Sequence, residues 1–210
     1  AQIRCDIQIP NPGGSPSDFA ILNGDPGKRL RGRNQGKAHN RFYGGRKLAC
    51  FGYGSGKNRT QGYLLGEDGR KGHRHAACHN LLLYTHGWDV FPDLGYLANH
   101  PGNAWFKATS SHQTVVVDEQ SSVPSGPSRL IGWHDTGPAR YVDIVSTLEG
   151  GITMRRALTL IRKDDGRPIL IDLFDVEGGS VRDYNVRANV RPNTLSFSDS
   201  SSFRSRRELY

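Results

Sequence analysis

Two histidines stand two residues apart in Gly72-His73-Arg74-His75, just ahead of an apolar run. Imidazole changes charge near neutral pH and is also the commonest metal ligand. On a β-strand, residues two apart point to one face, with Cα atoms about 6.6 Å apart. His73 and His75 could then share a metal, or one could bind metal while the other meets a substrate. Two solvated histidines in a basic turn would show the same spacing.

Two further segments add donors of a matching kind. Asp93 closes an apolar run in DVFPDLGY, and His112 leads into the β-branched run of SHQTVVVD. Each falls at an expected strand edge, where a side chain can project into a shared cleft. Two imidazoles and a carboxylate form a donor set that suits zinc, with a fourth position left to water or another ligand. A turn-capping aspartate and a lone strand-edge histidine fit the same pattern. So does a cupin-type barrel, where an HxH pair precedes a carboxylate and a histidine.

The elements that must position these residues read as short strands. Apolar or β-branched runs recur at 48–53, 61–65, 80–84, 114–118, 141–145, 155–161, 169–176 and 183–190, with turn residues between them. Lys163-Asp164-Asp165-Gly166 is a good hairpin turn. No stretch carries helical periodicity over several turns. The fold class is therefore all-β, an antiparallel β-sandwich. Residues 1–40 are rich in breakers (Pro10, Pro12, Gly13, Gly14, Pro16) and read as a linker or poorly ordered segment. Residues 41–195 form the sandwich domain, and 196–210, rich in serine and arginine, a flexible tail.

Composition narrows the function less. A formal net charge of +8 attracts polyanions, both nucleic acid and acidic polysaccharide, and is equally the mark of a solvated basic surface. The basic residues do not interleave with aromatics as in nucleic-acid recognition motifs, so no nucleic-acid partner is expected. Cys5, Cys50 and Cys78 are an odd number without a CxxC pair, which excludes a disulfide framework and a zinc ribbon. One disulfide or three free thiols both remain open. No apolar run is long enough to span a membrane. The chain begins at Ala1 without a visible signal peptide, which fits a processed product or a fragment.

Taken in order, GHRHAACHNLLLY (72–84), DLGY (93–96) and SHQTVVVD (111–118) resemble the heparinase II/III-like family, whose pattern runs GHxH, an apolar strand ending LxLY, DxGY and HNTVxVD. The strand pair around 155–160 and 168–179, followed by Arg182-Asp183-Tyr184, resembles the family's later DxFxVxGG and HDY segments. The resemblance covers about residues 42–192, and four motifs in order make it specific. It implies a supersandwich-like domain of a lyase that cleaves uronate-containing polysaccharides, such as heparan sulfate or alginate, by β-elimination. It implies that His75, Asp93 and His112 bind a zinc ion that organises the site, and that His73 faces the substrate as a catalytic residue. A periplasmic or secreted location follows from the same resemblance.

The chain departs from the family pattern at three places. Ala77 stands where an aspartate is common, Gln113 replaces the asparagine of HNT, and Arg182 replaces the histidine of HDY. Family enzymes also carry an α-helical toroid that supplies a catalytic tyrosine, and no segment of that kind is legible here. Tyr43, Tyr53 and Tyr63 fall in or near strands and read as packing residues. The chain alone is therefore expected to lack lyase activity. A non-catalytic glycan-binding or structural sandwich is the alternative, and a cupin-like metalloenzyme a more remote one. Trp105 is suited either to stacking on a sugar or to covering the core.

Overall fold

In the first half of the sandwich every strand pairs with the one before it. The computed structural model describes residues 36–67, 74–95 and 101–188, with the backbone of 5–7 and 195–197. The short strand β1 (Cys5–Ile7) precedes a five-stranded antiparallel sheet. That sheet runs β2 (Arg41–Tyr43), β3 (Leu48–Tyr53), β4 (Thr60–Leu65), β5 (Asn80–Thr85) and β6 (Trp88–Phe91), in that spatial order. After it come a one-turn helix, Asn103–Lys107, a 3-10 turn, Thr109–Ser111, and β7 (Val115–Val117).

The second half repeats the plan. β8 (Arg129–His134), β9 (Ala139–Thr147), β10 (Thr153–Arg162) and β11 (Pro168–Glu177) form a four-stranded antiparallel sheet, again in sequence order. The last hairpin pairs over ten residues, from Thr153↔Glu177 to Arg162↔Pro168. Its turn is the Lys-Asp-Asp-Gly segment: Lys163 N–H donates to the Arg167 carbonyl at 3.0 Å, and Gly166 takes the positive φ of 81° that the turn demands. β12 (Arg182–Tyr184) pairs with β7, and β13 (Leu195–Phe197) with β1.

The two large sheets face each other across one core. Ala49, Phe51, Tyr53, Leu64, Leu81, Leu83, Val90 and Phe91 come from the first sheet, and Val142, Ile144, Leu158 and Leu160 from the second. Each large side chain buried here contributes roughly 1.5–3 kcal/mol relative to exposure. A smaller cluster of Cys78, Val115, Val117, Leu148 and Met154 packs beside it, with Phe174 and Val176 against it. The chain is thus an antiparallel β-sandwich, as its strand pattern indicates.

Several boundaries differ from the sequence reading. The run at 141–145 belongs to a nine-residue strand, and that at 183–190 pairs, among its described residues, only over Arg182–Tyr184. Trp88–Phe91 and Arg129–His134 are strands the pattern did not mark. The first has four residues, and the second carries Gly132 and a register shift that breaks its alternation. The helix Asn103–Lys107 is too short to leave a periodic signal. Cys50 and Cys78 are buried free thiols, while the side chain of Cys5 lies outside the described residues. So do most of residues 1–40 and of the tail from 196 onward.

Candidate metal centre

His75 does not lie on a strand. Residues 74–79 form a loop leading into β5, so the expected strand spacing of His73 and His75 does not hold at His75. The loop is tied elsewhere. Ala76 N–H donates to the Lys107 carbonyl at 2.8 Å, and Thr109 Oγ1 donates to the Ala76 carbonyl at 2.7 Å. The same short helix and 3-10 turn that receive it deliver His112, which ends the 3-10 turn three residues ahead of β7. Asp93 follows β6, where its Oδ1 accepts the Gly95 N–H at 2.8 Å.

These three side chains converge. His75 Nδ1 lies 3.1 Å from His112 Nε2 and 3.9 Å from Asp93 Oδ1. His112 Nε2 lies 3.4 Å from Asp93 Oδ2. One donor atom from each falls within 4.8 Å of the others. Ligands at tetrahedral angles around zinc, with bonds of about 2.0–2.2 Å, stand roughly 3.4 Å apart. The spacing therefore fits one small ion.

The protonation states fit as well. His112 Nδ1 stands 2.8 Å from the Ala108 carbonyl, which can only accept. Nδ1 must then carry the proton, leaving the Nε2 lone pair directed at the other two donors. Burial favours the neutral form of His75 and lowers its pKa, against the pull of Asp93. Burial opposes ionisation of Asp93, but the Gly95 N–H that it accepts and the two imidazoles beside it outweigh burial and hold the carboxyl below its ordinary range. Neutral imidazole and ionised carboxylate are the forms that bind metal. The centre is walled by His112, 1% exposed, and opens on the Asp93 side, 30% exposed.

The sequence profile of the heparinase II/III-like, C-terminal family matches residues 63–208, more than half of the chain. This chain belongs to that family. No curated protein matches the sequence of this heparinase II/III-like domain. Several solved structures share its fold, two of them as follows. One is a heparinase III, 19% identical with a TM-score of 0.55, covering 68% of this chain and 22% of its own. The other is the heparan sulfate lyase HepC from Pedobacter heparinus, 19% identical with a TM-score of 0.55, covering 74% of this chain and 26% of its own. The domain therefore spans about a quarter of the length of those two chains.

Within this heparinase II/III-like domain, Asn80 and Gln113 were not marked as site residues, yet both hold the centre. Asn80 Oδ1 accepts the Gln113 backbone N–H at 3.0 Å, and its Nδ2 donates to Asp93 Oδ2 at 3.3 Å. Gln113, the departure from HNT, sends its side-chain amide to the carbonyls of Pro92 at 2.9 Å and Arg187 at 3.3 Å. The substituted side chain thus bridges the residue after His112 to the residue before Asp93. Ala77 is buried, and Arg182 lies at the surface, donating to the Gly178 carbonyl. The signal for Asn80 was its place at the start of an apolar strand, a polar residue where burial is expected.

The other marked residues fall into place differently. His73 and Tyr96 lie outside the described residues. Trp105 does not cover the core: it is 39% exposed, with the Arg187 guanidinium 4.7 Å above its ring. Tyr53 packs in the main core, Tyr63 meets His39 edge-on, and Tyr43 sits beneath Arg41 on the first strand of its sheet. No helix among the described residues is long and apolar enough to cross a membrane.

Proposed function

We propose that this domain serves a polysaccharide lyase acting on uronate-containing acidic polysaccharides of the heparan sulfate or alginate kind, in the periplasm or outside the cell. The observation that carries the reading is the convergence of His75 Nδ1, His112 Nε2 and the Asp93 carboxylate, with the His112 lone pair freed by its bond to Ala108. Family membership points the same way. The acidic polysaccharide suits the chain's excess of positive charge.

In β-elimination a base takes the proton on the carbon α to the uronate carboxylate. The electron pair forms a carbon–carbon double bond, and the glycosidic oxygen on the β carbon leaves with a proton from an acid. The carboxylate must be neutralised, because it resists gaining further negative charge. In this reading His75, Asp93 and His112 hold a zinc ion that supplies fixed positive charge and organises the loops. His73, two residues from His75, faces the substrate and assists in neutralisation or proton transfer. None of Tyr43, Tyr53 and Tyr63 is assigned as the base, since each has a packing or surface role. An α-toroid partner domain supplies the base, and the domain by itself is inactive.

Metal analysis separates the roles. Wild type and His73→Ala should each retain about one zinc per chain, and His75→Ala should lose it. Equal zinc in the two variants would refute the assignment. Release of unsaturated uronate from heparan sulfate, alginate or hyaluronan, followed by ultraviolet absorbance with the α-toroid partner present, tests the reaction. A native form that holds zinc and binds these polymers without releasing unsaturated product would favour the glycan-binding alternative.

A further inference from the structure

Arg156 points inward from β10 and is completely buried. A guanidinium carries five N–H groups in a fixed fork, and here all five find acceptors. Nε donates to Asp172 Oδ1 at 3.0 Å, and Nη2 to Asp172 Oδ2 at 2.5 Å and to the Tyr184 hydroxyl at 2.9 Å. Nη1 donates to the backbone carbonyls of His79 and Gln113, both at 2.6 Å. Tyr184 in turn donates to Asp172, and Phe174 lies against the guanidinium, its ring centroid 4.8 Å away.

Stability alone is a weak reason for this arrangement. Replacing a buried ion pair by packed apolar side chains is often neutral or favourable. The two carbonyls are more telling. His79 ends the loop that carries His75, and Gln113 is bonded to His112 in the chain. The Gln113 carbonyl also accepts from Leu81 N–H at 3.3 Å, and the Gln113 N–H is held by Asn80, whose amide reaches Asp93. One rigid fork on the second sheet thus fixes the end of the loop that carries His75 and the residue after His112, and through Gln113 and Asn80 it is linked to Asp93.

We infer that Arg156 is a positioning residue for the metal centre: braced by Asp172 and Tyr184, it sets the distance between the His75 loop and the His112 segment. The inference rests on the reading of His75, Asp93 and His112 as metal ligands. Lysine is no substitute, because a compact ammonium keeps the charge beside Asp172 but cannot bond two carbonyls and a carboxylate in one plane.

The test uses the whole chain, with zinc affinity read by chelator competition, ligand geometry by the visible spectrum of the cobalt-substituted form, and folding by circular dichroism and melting of the metal-free form. Arg156→Lys should weaken zinc binding about 10–100-fold, the usual effect of losing an outer support, and should alter the cobalt spectrum. Tyr184→Phe should act in the same direction but less. Arg155→Lys, at the neighbouring outward-facing position, should leave both readouts unchanged. An Arg156→Lys protein with a lower melting temperature but wild-type affinity and spectrum would overturn the inference, since that is what a merely structural role predicts. If Arg156→Lys does not fold, Tyr184→Phe decides, and wild-type affinity there is equally fatal. Failure of the wild type and Arg155→Lys to bind zinc would instead remove the metal reading itself, and the inference with it.

Discussion

Phe51 lies so close over Gly62, its direct partner on the next strand, that a methyl group at Gly62 would stand 2.5 Å from ring carbons Cε2 and Cζ. Phe51 is fully buried in the main core and has little room to yield. Gly62→Ala should therefore cost about 1–3 kcal/mol, the range for overpacking a filled core. Gly45→Ala, which meets nothing within 4 Å, should stay within about 0.5 kcal/mol of wild type. Urea midpoints at unchanged slope measure both. Equal midpoints for the two variants would contradict the close approach.

Asp93 is held by Gly95 and Asn80 as well as facing the two histidines. Asp93→Asn preserves the shape but removes the negative charge and a strong oxygen donor. Zinc affinity should fall by more than about 100-fold, beyond the ~10–100-fold cost of losing an outer support. The fold should persist, because both sheets are built without this residue. Chelator competition on the variant, with circular dichroism beside it, checks the pair of expectations.

His79 is fully buried, with Nε2 2.7 Å from Ser146 Oγ. Burial first, and then the nearby Arg156 charge, press its pKa down to about 3, against a smaller opposite pull from Asp143. In the unfolded chain the ordinary value of about 6.5 returns, so the unfolded state takes up the proton first. The stability that neutral His79 contributes is whole above about pH 6.5 and is lost as pH falls toward about 3, by up to about 1.4 kcal/mol per unit. His75, also held below its ordinary value by burial, adds a slope of the same sign. His79→Asn, which tolerates the positive φ of 58° at this position, should flatten that slope by about one proton. Denaturant titrations across this range would count against the assignment if variant and wild type kept the same slope.

Burial raises the Cys50 thiol to about 11 and the Cys78 thiol to about 12. Alkylation needs the thiolate. Iodoacetamide at about pH 8 should spare both cysteines in the native protein and modify both in denaturant. Peptide mapping that finds Cys50 alkylated without unfolding would mean its strand opens locally.

That His75, Asp93 and His112 come together was legible from residue types in order: a histidine ahead of an apolar run, an aspartate closing one and a histidine leading into a β-branched one. The β10–β11 hairpin was legible from its turn. What supports the triad was not. Arg155 and Arg156 are adjacent and chemically alike, and only strand register shows that one faces solvent beside Asp143 while the other is buried against Asp172. Asn80 and Gln113 act through backbone groups from distant parts of the chain, which leave no spacing signature. The strand assumed for His75 failed because its loop is bonded to residues 107–109, a contact set by tertiary packing rather than by local pattern.

Neither large sheet contains a crossover, and that gives the domain an order of assembly. Each meander can grow from neighbouring hairpins, so little chain entropy is lost before the two faces meet. His75 belongs to a connection within the first meander, Asp93 and His112 to the link between the meanders, and Arg156 to the second. The donors consequently reach their final separations only when the halves dock. In refolding experiments β-sheet signal should therefore precede the capacity to capture zinc, making metal uptake a clock for the last step of folding.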